Sequence, residues 1–321
     1  MLRSPVINRR QFVVGSSIAA SALWLPQWAR GAATGARKRI VLFTLRGGLD
    51  GLHAVPPYGD PEYATARGQI AIPAPGGVGT ALKLDAMFGL HPTMTNLSAM
   101  FQAGQALVIH AVAPPYNERS HFAAQDILEN GTSSRVTRDG WLGRALAIRD
   151  AGTAPNYVEA LSLGGTLTPL VLGGASSASA WTGGVLGVNA AVMSSLDTLY
   201  QGDGLLQHNL SLVPALNSMA SIAPDGLWGG ISSQWAKAGT TGAKLLTSPT
   251  GPDVLVFDIA GFDTHQMQGA ATGNLAANLA ALDATFGALK AGLGAMWADT
   301  VVIAMTEFGR TIEVNGTLGT D

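Results

Sequence analysis

Cysteine is missing from all 321 residues, and that absence removes disulfides, thiolate metal sites and thiol nucleophiles together. Any bound metal must therefore be held by oxygen and nitrogen. Charge is scarce as well: Asp, Glu, Lys and Arg make up 12% of the chain. The 19 basic residues stand against 21 acidic ones, and Arg3, Arg9, Arg10 and Arg30 all lie in the first 33 positions, which contain no acid. Without those four arginines 15 basic residues would face 21 acids, taking the net charge from -2 to -6. Such a surface favours neither nucleic acid nor anionic lipid. No fixed-period repeat, charge run or Pro-rich linker marks an internal boundary. Apolar residues (47%) and 41 glycines are plentiful, enough for one large core or two smaller ones with many tight turns.

The N-terminus reads as an address. "NRRQFVVGSSIAASALWLP" sets Arg9 and Arg10 before a short apolar stretch that ends at Pro26, and "QWARGAA" follows with small residues suited to cleavage. The stretch is too short to span a bilayer comfortably and no stop-transfer pattern follows. Residues 1–33 thus resemble a twin-arginine signal peptide, which exports proteins already folded through the twin-arginine translocase. The expected location is periplasmic or secreted, without stable membrane insertion of the mature chain.

From residue 38 onward strand-like and helix-like segments alternate. Continuous β-branched apolar runs at 39–45 and 106–112 suit strands buried on both faces. Between them, 92–104 has Met94, Leu97, Met100 and Phe101 at helical spacing, with Gly104 as its stop. Short strands are expected at 157–163 and 168–173. A strand at 254–260, an Ala/Leu-rich helix at 274–293 and a strand at 300–305 form a strand, helix, strand unit. The expected fold is α/β, with a mostly parallel central sheet covered by helices over 34–321, and a helical insertion over 174–250.

Ligands of open parallel sheets bind beyond the carboxyl ends of the strands. Arg46 and Asp50 follow the first strand, and Arg119, Ser120 and His121 follow the second. Asp263 and His265 follow the strand at 254–260, and Glu307, Arg310 and Asp321 follow the last. Asp263 and His265, two residues apart in an extended segment, point to one side, as two ligands of one metal would. Asp50 among glycines also suits a turn. Acids converging on one rim would repel each other unless a cation neutralised them. Ser120 stands at a helix start, where it either caps the helix or lies beside N–H groups that attract an anion, with Arg119 adjacent. His121 suits an acid, a ligand or a structural residue. Glu307 and Arg310 suit anion binding or an ion pair that fixes the loop, and Arg46 belongs with them. His91 and His110 read as packing residues.

"LRGGLDGL", "FGLHPTM", "ERSHFAAQD", "GFDTHQMQ" and "TEFGRTIEVNGTLGTD" together resemble the exported family known as domain of unknown function 1501, in the alkaline phosphatase and sulfatase superfamily. The resemblance implies an alkaline phosphatase-like fold holding one or two divalent ions (zinc, calcium, manganese or magnesium). Asp50, Asp263 and His265 match ligands, and Asp321 matches the first half of a final Asp-His pair. In related sequences that run continues "GTDHG", so the resemblance implies a C-terminally incomplete domain. The implied activity is hydrolysis of a small-molecule or polymer-linked phosphate or sulfate ester; Ser120 is the candidate nucleophile from its place at a helix start, since "ERSHF" is not the nucleophile motif of the characterised phosphatases or sulfatases. A non-catalytic periplasmic or surface binding or assembly protein is the alternative.

Overall fold

In the computed structural model the described residues are 37–149, 158–163, 169–175, 178–181, 190–203, 206–207, 210, 213, 235–249 and 251–321. The chain divides into Met1–Lys38 and Arg39–Asp321. The expected signal segment lies outside the described residues, as does much of the expected insertion over 174–250. What is described there includes the strand Ala178–Trp181 and the helices Ala190–Leu199 and Trp235–Thr247.

Five parallel strands make the central sheet: β1 (Arg39–Leu45), β2 (Ala160–Leu163), β3 (Ala178–Trp181), β4 (Val254–Ile259) and β5 (Thr300–Met305), in the order β3-β2-β4-β1-β5. The α/β reading from sequence holds. β1 lies between β4 and β5, with Phe43 level with Phe257 on one side and Ala304 on the other. Burial on both faces explains its unbroken apolar run.

Alternate β1 side chains feed two cores. Val41, Phe43 and Leu45 join one with α3 (Thr95–Gln102), α7 (Trp235–Thr247) and α8 (Asn274–Leu293). Phe43 stacks on Phe257 with ring centroids 4.6 Å apart and takes the edge of Phe286 from α8 at 5.1 Å. Leu42 turns to the opposite face, where Val254 and Val256 meet Leu142 and Leu146 of α5 (Trp141–Arg149). The remaining α-helices among the described residues include the short α1 (Gly51–Ala54) and α2 (Tyr63–Arg67), α4 (His121–Asn130) and α6 (Ala190–Leu199).

Two expected strands differ. Residues 106–112 take no strand pairing among the described residues: Ala106 and Val108 pack on the core while Leu107 and Ile109 face solvent. Of the expected strand at 168–173, the described residues 169–173 hold instead a 3-10 turn, Leu170–Leu172. It opens at Pro169, which lacks the N–H a ladder needs. Gly104, at φ +68°, lies just past the end of α3, as the helical spacing predicts.

Among the described residues no helix is long and apolar enough to cross a membrane.

Candidate metal centre

The site lies beyond the carboxyl ends of β1, β4 and β5, where three loops meet the start of α4. The β1 loop must be thin to fit. A Cβ on Gly47 would stand 2.9 Å from Asp263 Cβ, and one on Gly48 would stand 2.7 Å from a ring carbon of Phe308. Both glycines have positive φ, +114° and +65°, so this turn suits glycine on two counts. Thr306 Oγ1 binds the loop at both ends, donating to Leu45 O at 2.9 Å and accepting from Leu49 N at 2.9 Å.

Ser120 begins α4 by accepting from Ala123 N at 3.4 Å. Gly131, left-handed at φ +66°, ends it. His121 and Gln125 are one turn apart and share a face. Both donate to Glu307 Oε1, His121 from Nδ1 and Gln125 from Nε2, each at 2.9 Å. Gly47 N adds a third bond to that oxygen at 2.8 Å. Arg46, from the end of β1, also draws α4 in: its guanidinium reaches Gln125, Glu129 and Asp258.

Glu307 is fully buried. Burial alone would raise its pKa, but bonds from its own N–H, His121, Gln125 and Gly47 outweigh that and hold the carboxyl below its usual range. An ionised Glu307 can only accept, so this contact fits a His121 ring with its proton on Nδ1. Nε2 then presents a lone pair 3.7 Å from Asp263 Oδ1. His265 repeats the arrangement: Nδ1 lies 2.8 Å from Asp321 Oδ1 and Nε2 lies 2.9 Å from Asp263 Oδ1. Asp321 is held below the usual carboxylate range by hydrogen bonds from Asn315 and His265, aided by the charges of His265 and Arg119.

His121, Asp263 and His265 thus each offer one ligand atom, all within 4.8 Å of one another. Two imidazole nitrogens and a carboxylate suit a divalent ion, and an acid on the far nitrogen of each histidine is the usual support for such ligands. His121 is about a quarter exposed and the other two about half, so solvent and a ligand can reach the centre. Arg310, whose side chain is 1% exposed, reaches in from below. Its guanidinium spans Asp263 Oδ1 and His265 Nε2, and is anchored to the carbonyls of Gly47, Gly48 and Thr320.

The structure does not bring Asp50 into this cluster. Asp50 is 1% exposed. Its Oδ2 takes Arg67, Gln268 at 2.8 Å and Thr320 at 3.3 Å, and its Oδ1 accepts from His53 N at 3.2 Å at the start of α1. The repulsion expected between the rim acids is relieved by two buried arginines, Arg67 for Asp50 and Arg310 for Asp263. Arg119 and Ser120 are exposed at the start of α4.

His91 packs in the interior and also fastens a loop. It and His53 both donate Nε2–H to Ala270 O, at 3.0 and 3.2 Å, and so tie down the segment that carries Asp263 and His265. His110 is exposed and stacks on Phe88 with centroids 4.3 Å apart. Sequence reasoning missed Arg67, Gln125, Gln268 and His53. Only Gln125 had a readable signal, its four-residue spacing from His121.

The family model described as protein of unknown function (DUF1501) matches residues 243–321, the stretch that supplies Asp263, His265, Glu307, Arg310 and Asp321. No curated protein and no solved structure matches the chain.

Proposed function

We propose that this chain is an exported, metal-dependent hydrolase of phosphate or sulfate esters, on an alkaline phosphatase-like fold. The observation that carries the reading is the convergence of His121, Asp263 and His265 on one point at the strand ends. A divalent ion there supplies Lewis-acid polarisation of an ester oxygen and lowers the pKa of a hydroxyl nucleophile. His121, Asp263 and His265 hold it, while Glu307 and Asp321 fix the two imidazoles. The anion lies against Arg119 and the free N–H groups that open α4. The Ser120 hydroxyl, one residue from a ligand, or a water in its place attacks phosphorus or sulfur. The nucleophile loses its proton as the ester oxygen leaves with the bonding pair and is protonated; where Ser120 is that nucleophile, water then attacks the group it carries, the serine oxygen leaves with the bonding pair and takes a proton, and the hydroxyl is restored.

Metal content by elemental analysis, paired with hydrolysis of p-nitrophenyl phosphate and p-nitrophenyl sulfate, tests this. One ion per chain, lost in Asp263→Ala and His265→Ala, is expected, together with turnover abolished in Ser120→Ala while the ion stays. An ion-free wild-type chain that hydrolyses neither ester would sink the proposal.

Arg310 favours a second reading. A buried guanidinium already bridges Asp263 and His265, as it would in a binding or assembly protein that keeps the fold without turnover. A bound ion with no hydrolysis of either ester points there.

A further inference from the structure

Glu307 lies deeper than any of the three ligand side chains and touches the centre only through His121. Its Oε1 accepts from Gly47 N, Gln125 Nε2 and His121 Nδ1, and its Oε2, 3.1 Å from Thr306 Oγ1, shares that hydroxyl's one proton with Leu45 O. A carboxylate ringed by amide and hydroxyl donors leaves its imidazole neighbour one role, that of a further donor. The Nδ1–H form that results is the one that presents Nε2 as a ligand.

Two of the three donors at the centre are then nitrogens. Magnesium and calcium prefer oxygen, whereas zinc, cobalt and iron accept imidazole readily. The tilted Phe308 ring, 4.6 Å from the His121 ring, restricts its rotation further.

We propose that Glu307 is a positioning residue that holds His121 as an Nε2 donor, and that the centre in consequence takes a first-row transition ion of the zinc class over magnesium or calcium. The proposal rests on the metal reading of His121, Asp263 and His265. Glutamine at 307 can donate to Nδ1, which would move the imidazole proton to Nε2 and close that position to a metal.

The test uses the full chain labelled with nitrogen-15 histidine. Without metal, the nitrogen spectrum should show His121 with a protonated Nδ1 and a bare Nε2. Cobalt(II) should then produce visible absorption bands that a large excess of magnesium does not remove. In Glu307→Gln the cobalt affinity should fall by roughly 10–100-fold, and the His121 signals should switch to the Nε2–H form, with the amide spectrum otherwise native. Glu307→Asp, which keeps the acceptor, should recover part of the affinity.

A wild-type His121 protonated on Nε2, or a folded Glu307→Gln that binds cobalt as tightly as wild type, overturns the role of Glu307. Displacement of cobalt by magnesium overturns the selectivity. Should Glu307→Gln fail to fold, the wild-type nitrogen spectrum still decides the matter. An Nδ1–H His121 in a wild-type chain that takes up no cobalt instead removes the metal reading beneath the proposal.

Discussion

Asp50 and Arg67 form an ion pair with both side chains sealed from solvent. Removing one partner of such a pair leaves a buried charge, at a cost of about 3–5 kcal/mol. Arg67→Met should lower unfolding stability by that amount in urea titrations. Asp50→Asn should leave the metal stoichiometry unchanged, the reverse of what a ligand would do. His53 gives a second residue-scale expectation. Burial, chiefly, lowers its pKa from 6.5 to about 4, with the charges of His91 and Arg67 acting the same way against Asp50. Between those values the unfolded chain binds the proton and the folded chain does not, so stability is present above pH 6.5 and lost as pH falls toward about 4. The loss is on the order of 3 kcal/mol at 1.36 kcal/mol per pKa unit. Urea midpoints measured across that range should fall, and His53→Gln should flatten the slope. The sequence made Asp263 and His265 legible because alternate residues of an extended segment share a side. Arg67 left no comparable mark. Whether a lone arginine meets Asp50 is decided by how two loops fold back, which no short-range pattern records.

α3 shows how one element completes another. Its N-cap, Met94, offers no acceptor. Asp283 of α8 does so instead, taking Asn96 N at 2.9 Å and Leu97 N at 2.8 Å. A carboxylate there satisfies two orphan donors and suits the positive end of the helix. Asp283→Ala should cost about 1–3 kcal/mol and should loosen α3 selectively, seen as faster amide exchange over 95–102. β1, β4, β5 and α8 could be read from the sequence, because sustained apolar runs of strand or helix length leave few alternatives. Residues 106–112 have the same composition but no strand partner among the described residues, and composition alone does not specify pairing. At 168–173 the run contained its own contradiction in Pro169.

Across the molecule, an ion that binds only the folded chain stabilises it by mass action, about 2.7 kcal/mol at a hundred times Kd. Thermal melts with zinc should therefore run several degrees above melts with chelator, and Asp263→Ala should abolish the difference. The fold class was legible because α/β alternation survives even where single strands are misread. The centre was only half legible, since two of its three ligand side chains, Asp263 and His265, lie on one C-terminal stretch and His121 lies far from them.

That separation has a consequence for biosynthesis. His121 and Glu307 are 186 residues apart. At about 5–20 residues per second, roughly 10–40 s pass on the ribosome between the histidine and the acid that orients it. Throughout that interval the nascent chain holds a histidine whose proton is free to sit on either nitrogen. An ion held as proposed should accordingly enter late, after β5 has paired with β1. In refolding experiments, cobalt absorbance should rise with the last native phase rather than with the early collapse.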